Sequence, residues 1–487
     1  MELIESKTRK RIKRLDSIHH LWWLGCIILL GFIARLFWVT LINPIPHLEG
    51  GDGLLYTHVG QSVAGGTGLT TCYSLTCYND PSTRAPITTI GPLYPLFLSL
   101  FYSYLPGEEI ALQGSRIADV FIATLQIIAL FWLGKELAGN LVGLTAAAFL
   151  VIDLRFIVEI GNAHTEPLFT LLLTVAVAAT IHAAKEKRRS LWLFAGAIWA
   201  VAGLTRPIAL IAPAFVLGYV VLTESRRVGF KFWLWFTSAF FVTISPWLAF
   251  NIIEVGAPVL AEGAAAHFWL GTQGTGQWEG QAVFNADIEE VSEISQREPA
   301  ETETSAAPTA ASSDENQIEA DATADPQTDN ESILDENPLP TSEEYVSVGL
   351  SDIRESPGSY VQLLLTKLIR AYLQPSGTVT LGGESIKAMF DSWRSGQVTL
   401  GEVLAIPEFF PKLYMYLFHF GSIGLSLISI FIFRATWRSW VFILLVIVLS
   451  SLAYTFLTII PRYLFPIMPL YIVLAALLIQ KPRQAAT

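Results

Sequence analysis

The stretch LWWLGCIILLGFIARLFWVTLI, residues 21–42, decides the fold class of this sequence. Arg35 is its single charged residue, and a helix of this length can cross the roughly 30 Å hydrocarbon core of a bilayer. Six Lys or Arg residues precede it, within residues 1–14. The stretch is too long for the apolar core of a signal peptide and lacks a small-x-small cleavage site. We therefore predict an uncleaved first transmembrane span.

Similar apolar stretches recur along the chain, which is 52% hydrophobic and only 15% charged. Soluble globular chains carry about 25% charged residues, so this composition excludes an ordinary soluble enzyme. No GxxxxGK[ST] phosphate loop is present, and no long soluble αβ stretch could hold a nucleotide. We predict an all-α integral membrane protein with about ten transmembrane helices and no nucleic-acid partner. The predicted spans are residues 21–42, 117–134, 141–159, 166–184, 191–205, 207–222, 231–250, 411–433, 439–458 and 463–480.

The basic residues predict how the chain threads the membrane. With the N-terminus inside, 18 of the 31 Lys and Arg residues fall on the cytoplasmic side, as the positive-inside rule expects. We therefore predict a multi-pass protein of the plasma (inner) membrane with both termini cytoplasmic. The expected parts are a basic N-terminus (1–20), spans one to seven (21–250) with a first outer loop (43–116), a second outer loop (251–410), spans eight to ten (411–480) and a cytoplasmic tail (481–487).

The outer loops contain three further segments. Residues 281–355 hold 20 of the 42 acidic residues and 2 basic ones, and we expect the insert at 285–345 to be a disordered spacer, although it could also bind cations or a partner. Residues 360–373 are predicted to form an amphipathic helix on the membrane surface. The uncharged run at 92–105 is short for a span, so we place it as a helix at the outer interface. As a span it would invert every later loop.

Cysteine is rare in this sequence, and two of the three residues lie close together. Cys72 and Cys77 both fall in the first outer loop, where a C-x4-C pair on an oxidising side could close a disulfide. Two free thiols are the alternative.

Ionisable residues cluster on one side of the predicted topology. Charged groups in or near spans are costly and usually have a role, and a dozen of mixed sign at outer span ends or in outer loops suggest a polar cavity on the outer face. They are Asp52, His58, Arg84, Arg116, Asp153, Arg155, Glu159, His164, Glu166, Arg206, His267 and Arg462.

This residue set indicates a class of chemistry. Asp52 lies in GGDGLLYTHVGQSVAGGTGL, residues 50–69, where glycines would let the backbone approach a ligand closely and the carboxylate could act as a general base. Arginines suit a phosphate, because the guanidinium group binds two oxygens at once and stays charged. An outward site of this kind beside lipid suggests a lipid-phosphate substrate. Because cytosolic nucleotide sugars do not reach the outer face, a polyprenyl-linked donor would be the natural choice.

Several motifs resemble, in family order, the GT-C integral-membrane glycosyltransferases, in the branch of protein O-mannosyltransferases and aminoarabinose transferases. They are Asp52-x3-Tyr56 with AGGTG, RAPITTIGPLYPLFLSLFYSYLPG (84–107), SRIAD, LAGNLVGLTAAAFLVI, HTEPLFTLLL (164–173), GLTRPIAL (203–210), SPWLAFNIIEVGAPV (245–259), HFWLGT (267–272) and PRYLFPIMPLYIVLAALL (461–478). The resemblance covers most of the chain except the acidic insert and the segment after it.

The resemblance implies an inverting transfer of a sugar from a polyprenyl-phosphate donor to a lipid, glycan or protein acceptor, in contact with membrane lipids. It places Asp52 as the base or metal-linked catalytic residue, with Glu166 as a second carboxylate. Its other implied roles are donor-phosphate binding by Arg206, Arg462 and Arg84, and a substrate cavity with Tyr56, His164, Tyr463 and His267. Some members bind a divalent cation, for which the candidate ligands are Asp52, Glu166, His164 and His267.

The sequence departs from the family pattern at two positions. Gly53 stands where members often have a second acid, and Phe250 replaces an arginine, so no phosphate contact is carried over there. Simpler roles stay open: Asp52 as a turn residue, Glu166 as a helix cap and Arg206 as an interfacial anchor, with His267 in packing. Alternative functions are a polysaccharide polymerase or ligase, or a lipid or glycan transporter. Neither the sugar nor the acceptor follows from the sequence.

Overall fold

The computed structural model of this chain describes residues 2–44, 52–71, 85–87, 90–256, 263–272 and 342–480. Helices dominate these ranges, which confirms the predicted all-α membrane class. The β-structure within them consists of β1 (Thr70–Thr71) and β2 (Ala85–Pro86), which pair antiparallel.

The N-terminal part of the fold, up to the seventh predicted span, contains ten helices among the described residues. The first helix continues into a π-helical segment at Trp38–Ile42, and a 3₁₀ segment at Pro207–Ile211 precedes α9. The elements are α1 (Glu2–Phe37), α2 (Asp52–Ala64), α3 (Leu93–Tyr104), α4 (Glu108–Ala138), α5 (Asn140–Ile152), α6 (Arg155–Val158), α7 (Glu166–Glu186), α8 (Arg189–Thr205), α9 (Ala212–Thr223) and α10 (Arg226–Val255).

The C-terminal part combines surface helices with three more apolar segments. Short 3₁₀ segments at Arg434–Ser439, Phe465–Ile467 and Leu477–Ile479 link or end the helices there. The elements are α11 (Gly263–Thr272), α12 (Ser342–Glu355), α13 (Pro357–Leu373), α14 (Ile386–Arg394), α15 (Leu400–Ala405), α16 (Phe409–Ile432), α17 (Val441–Phe456), α18 (Pro461–Leu464) and α19 (Met468–Ala476).

Six helical segments in the described residues are long and apolar enough to cross a membrane. They are His19–Ile42, Glu108–Ala138, Glu166–Glu186, Arg226–Glu254, Phe409–Ile432 and Pro461–Ile479. Four shorter apolar segments overlap the remaining predicted spans: Asn140–Ile152, Arg189–Thr205, Pro207–Thr223 and Val441–Phe456.

The third of the predicted spans, residues 141–159, is shorter in the structure. Helix α5 ends at Ile152, and Asp153 has an extended backbone before the single turn of α6. The physical reason is a buried ion pair, in which Arg155 Nη2 lies 2.6 Å from Asp153 Oδ2 and both side chains are fully buried. The pair satisfies both charges locally, and the chain leaves the helix to form it.

Small residues allow the long helices to pack closely. A side chain at Gly196 of α8 would overlap the carbonyl oxygen of Phe236 in α10, so the two backbones touch at this point. Close backbone contact at glycine is typical of helix packing inside membranes. Trp192 and Phe232 stack beside it, with ring centroids 5.1 Å apart. This core holds the helix ends in fixed positions on one side of the bundle.

Helices are present at both segments that were predicted to lie at the membrane interface. The run predicted at 92–105 contains α3, whose twelve residues span only about 18 Å, too little to cross the bilayer. The amphipathic helix predicted at 360–373 is α13, which begins three residues earlier, at Pro357. The acidic insert predicted at 285–345 lies outside the described residues up to position 341, and its last four residues open α12.

Candidate active site

Four charged residues of the candidate site lie at helix starts or at a helix break, and proline fixes three of these positions. Asp52 is the first residue of α2. Glu166 begins α7 and is followed by Pro167. Arg206 has an extended backbone (φ −139°, ψ 125°) between α8 and the next 3₁₀ segment, because the residue before a proline disfavours the helical conformation. Arg462 follows Pro461, which starts α18.

These four side chains form one continuous cluster of alternating charge. Glu166 Oε1 accepts a hydrogen bond from Arg206 Nη1 at 3.1 Å. The same oxygen lies 3.1 Å from Arg462 Nε. Arg462 Nη2 donates in turn to Asp52 Oδ2. The order Arg206, Glu166, Arg462, Asp52 therefore joins the ends of four elements that are far apart in sequence.

The carboxylates of Glu166 and Asp52 differ in their exposure to solvent. The side chain of Glu166 is 1% exposed, whereas that of Asp52 is 43% exposed. A buried carboxylate must be paired, and Glu166 lies between two guanidinium groups at the N-terminus of α7, where the helix dipole also favours negative charge. Glu166 is therefore placed to hold the arginines, and Asp52 is the carboxylate that an incoming molecule can reach.

Aromatic rings support the arginines from the other side. The Arg206 guanidinium carbon lies 5.2 Å from the centroid of the Tyr463 ring, and Tyr463 stacks on Tyr454 at 5.1 Å. Burial disfavours the charged form of Arg206, but the Glu166 carboxylate outweighs this and raises the pKa of Arg206 above its usual value. The guanidinium group is thus kept charged and fixed in direction, as a phosphate-binding group needs to be.

Tyr56 lies one turn after Asp52 on the same helix. Its ring is buried and meets Tyr94 of α3 edge-on, with centroids 5.3 Å apart. Burial raises the pKa of Tyr56, and the Asp52 carboxylate raises it further, so the phenol stays neutral. This packing couples α2, which carries Asp52, to α3.

His164 joins a third carboxylate to the cluster. Its Nδ1 atom lies 3.2 Å from Glu159 Oε1, and its Nε2 atom lies 3.4 Å from Arg462 Nη1. Thr380, on the loop between α13 and α14, donates to Glu159 Oε2 at 3.4 Å. Burial lowers the pKa of His164, but the bond to Glu159 and the surrounding carboxylates raise it above the ordinary value overall.

A candidate metal-ligand set differs in part from the predicted one. Ligand atoms of Glu159, His164 and Glu166 lie within 4.8 Å of one another. Two carboxylates and an imidazole suit a divalent cation such as Zn²⁺ or Mn²⁺. The fit is partial, because the Arg462 guanidinium is within 3.1 Å of Glu166 and already supplies positive charge.

The other predicted ligands are placed differently. The Asp52 carboxylate is paired with Arg462. His267 of α11 is exposed, and its Nδ1 atom lies 3.3 Å from Thr458 Oγ1. It is close enough to Asp52 for an electrostatic interaction. Glu159 was among the predicted outer-face charges but not among the predicted ligands.

The remaining predicted residues fall into two groups. Arg84, Cys72 and Cys77 lie outside the described residues. Arg116 and Arg155, counted above among the charges of the outer cavity, instead have structural partners. Arg116 donates to the backbone carbonyl oxygen of Gly161 at 2.9 Å, and Arg155 is paired with Asp153.

Two site residues were not predicted as site residues from the sequence. Thr380 follows the acidic insert, in a segment without a motif. Nothing in the sequence therefore indicated its contact with Glu159. Tyr454 lies within an apolar helix, where an aromatic residue is most often packing. Both could have been found only from the fold.

Comparison with known proteins agrees with the motifs. Residues 89–250 match the family described as dolichyl-phosphate-mannose-protein mannosyltransferase. None of the curated proteins matches the chain.

Two solved structures were compared with the chain over most of its length. The crystal structure of the Archaeoglobus fulgidus oligosaccharyltransferase in complex with Zn and sulfate is 11% identical, with a TM-score of 0.46; the comparison covers 93% of this chain and 48% of that one. ArnT from Cupriavidus metallidurans bound to undecaprenyl phosphate is 14% identical, with a TM-score of 0.32, and 93% and 77% of the chains are covered. The chain thus spans about half the length of the Archaeoglobus protein.

The matched segment contains Glu166, Arg206 and the helices that hold them. Over residues 89–250 the chain is similar to the dolichyl-phosphate-mannose-protein mannosyltransferase family, which confirms the predicted resemblance to the GT-C membrane glycosyltransferases.

Proposed function

We propose that this chain is a glycosyltransferase that moves a sugar from a polyprenyl-phosphate donor to an acceptor at the extracytoplasmic face of the plasma membrane, with inversion at the sugar carbon. The observation that carries the proposal is the pairing of an accessible carboxylate, Asp52, with Arg462, which shares the buried Glu166 carboxylate with a second arginine, Arg206, at one end of a bundle of apolar helices.

In the proposed reaction the two arginines bind the donor phosphate. The Arg206 guanidinium is held by Glu166 and Tyr463, and Arg462 shares the same carboxylate. Held in this way, both groups can stabilise the negative charge that develops on the phosphate as its bond to the sugar breaks. The lipid tail of the donor would lie among the apolar helices, next to the site.

Asp52 acts as the general base. In the absence of donor it is bound to Arg462. A donor phosphate competes for that guanidinium group, and the released carboxylate can turn towards the hydroxyl group of the acceptor. Asp52 takes the hydroxyl proton, the acceptor oxygen forms a bond to the sugar carbon, and the bond from that carbon to the phosphate oxygen breaks. Polyprenyl phosphate is the leaving group, and attack from the opposite side inverts the configuration.

A divalent cation is a further element of the proposal. Glu159, His164 and Glu166 would hold it, and it would supply positive charge next to the donor phosphate. The arginines provide the same kind of stabilisation without it, and the reaction steps above involve only residues of the chain.

The topology that accompanies this function is a multi-pass membrane protein with both termini in the cytoplasm. It rests on the distribution of Lys and Arg along the sequence. Acceptors that fit are a lipid, a glycan or a protein, and either a hexose or a pentose could be transferred. A polysaccharide polymerase or ligase would use similar donors, and Asp52, which directly follows the first span, favours the simpler transferase.

The test is transfer of radiolabelled sugar from a panel of polyprenyl-phosphate donors in membranes that contain the wild type, Arg206→Gln or Glu109→Gln. Glu109 is an exposed acid in the first turn of α4 and serves as a matched surface control. We expect transfer by the wild type and by the control, and a loss of at least tenfold in donor affinity for Arg206→Gln. Absence of transfer with every donor, while polyprenyl phosphates fail to bind, would overturn the proposal.

A further inference from the structure

A cavity lies near the candidate active site, on the other side of the loop that carries Thr380. It has a volume of about 480 Å³ and lies between the end of α13, the following loop, the start of α14 and the first turns of α16. Thr378 of the loop lines it, and Thr380, two residues later, contacts Glu159 of the candidate site. The loop therefore lies between the cavity and the candidate site.

Basic side chains line this cavity. Three cations face it, Arg370, Lys387 and Lys412, and no carboxylate of the described residues is among its lining. Lys412 is held by the carbonyl oxygens of Gly382 and Glu384, at 2.5 and 2.7 Å, and contributes charge rather than a free donor.

The other two cations are available to a ligand. Arg370 is exposed and has no hydrogen-bond or ion-pair partner among the described residues. Lys387 is paired with Asp391 at 2.6 Å, but both side chains are mostly exposed, 86% and 57%. An exposed pair of this kind is weak and can exchange for a stronger anion. The cavity therefore offers a guanidinium and an ammonium group to a negatively charged ligand.

The surroundings of the cavity are apolar and exposed. Along α13, side chains at four-residue spacing are all more than half exposed: Val361, Leu365, Ile369 and Leu373. The last of them lines the cavity. The opposite side of α13 is docked on the protein, where Lys367 Nζ donates to the carbonyl oxygens of Gly271 and Leu457 at 2.8 and 3.0 Å.

Helix α16 continues this apolar surface on the other side of the cavity. It is long enough to cross the membrane, and its exposed side chains include Phe410 and Leu417, beside the cavity-lining Tyr416. A basic cavity between a surface helix and the end of a span matches an amphiphile, with an anionic head in the cavity and a chain along the exposed apolar side chains.

We propose that this cavity is a binding site for a lipid with an anionic phosphate headgroup, separate from the donor-phosphate site at Arg206 and Arg462. Arg370 and Lys387 bind the phosphate, and the acyl chains lie against the leucine-rich side of α13. The site goes beyond the proposed transfer reaction and does not depend on it.

The test uses purified full-length chain and native mass spectrometry with phosphatidylglycerol and phosphatidylcholine as probes. We expect retained phosphatidylglycerol, and a loss of at least about tenfold in its affinity for the double variant Arg370→Gln/Lys387→Gln. The matched control is Arg394→Gln/Arg354→Gln. It removes two exposed cations from the neighbouring helices α14 and α12 without changing the cavity lining, and it should bind as the wild type does.

Competition with inorganic phosphate distinguishes the two sources of a phosphate group. Displacement of phosphatidylglycerol only at phosphate concentrations far above those of the lipid supports a lipid site. Displacement at equal concentrations shows that the cavity binds free phosphate instead and overturns the lipid assignment. Equal retention by the double variant and the wild type, or an equal loss in the control, also overturns it.

Discussion

Replacing Glu166 with glutamine tests the role of the buried carboxylate. The substitution keeps the shape and one acceptor oxygen but removes the charge between Arg206 Nη1 and Arg462 Nε, both 3.1 Å from Glu166 Oε1. Removing one partner of a buried ion pair costs about 3–5 kcal/mol. Because the glutamine oxygen can still accept a hydrogen bond and Arg462 is 25% exposed, we expect the lower end, about 3 kcal/mol.

The measurement is the free energy of unfolding in mixed micelles, obtained by denaturant titration of the wild type, Glu166→Gln and the surface control Glu109→Gln. A double variant, Glu166→Gln/Arg206→Gln, removes one uncompensated guanidinium group. It should lose less than the sum of the two single substitutions, because the two residues interact directly. A loss below about 1 kcal/mol for Glu166→Gln, or strict additivity in the double variant, would show that Glu166 does not hold the arginines.

The remaining predictions concern the supports of the site. Gly91→Ala should destabilise the protein and weaken donor binding, because a side chain there would overlap the carbonyl oxygen of Leu204, two residues before Arg206. Thermal unfolding and titration with the donor measure the two effects. Gly107→Ala is the control that separates overlap from backbone strain, since Gly107 has a φ of 80° but open space around it. Burial lowers the pKa of Lys367 to about 8, so the folded state releases a proton before the unfolded chain does, and the stability of the wild type relative to Lys367→Met should rise between pH 8 and 10; a flat difference would contradict this. Metal analysis of purified protein should show bound Zn²⁺ or Mn²⁺ that falls at least tenfold in His164→Ala, and an unchanged metal content would exclude this ligand set.

Much of the fold could be predicted from the sequence. In the bilayer core the backbone polar groups have no water to bond to, so a long apolar stretch that spans a membrane forms a helix. The structure has helices at the predicted apolar stretches, and the short run at 92–105 contains the twelve-residue α3. The end of the span predicted at 141–159 was wrong, since an apolar stretch does not reveal where a buried pair such as Asp153 with Arg155 interrupts a helix.

The sequence pointed to the individual residues of the candidate site but not to their arrangement in space. Asp52, Glu166, Arg206 and Arg462 each stood out as a charge near a span end, and the structure brings them into one cluster. Their order in that cluster depends on which helix ends meet, which no local pattern contains. For the same reason the contact from Thr380 to Glu159 could not be foreseen.

The central claim, that Asp52 is the base and the arginines hold the donor phosphate, is tested most directly by separating chemistry from binding in Asp52→Asn. Single-turnover transfer from a bound polyprenyl-phosphate sugar gives the rate of the chemical step, and titration with the donor gives its affinity. A general base contributes at least about 100-fold to the rate. The account predicts a loss of that size in the rate, with donor affinity unchanged or higher because Arg462 loses its competing carboxylate. An unchanged rate in Asp52→Asn, or a loss explained entirely by weaker donor binding, would contradict it.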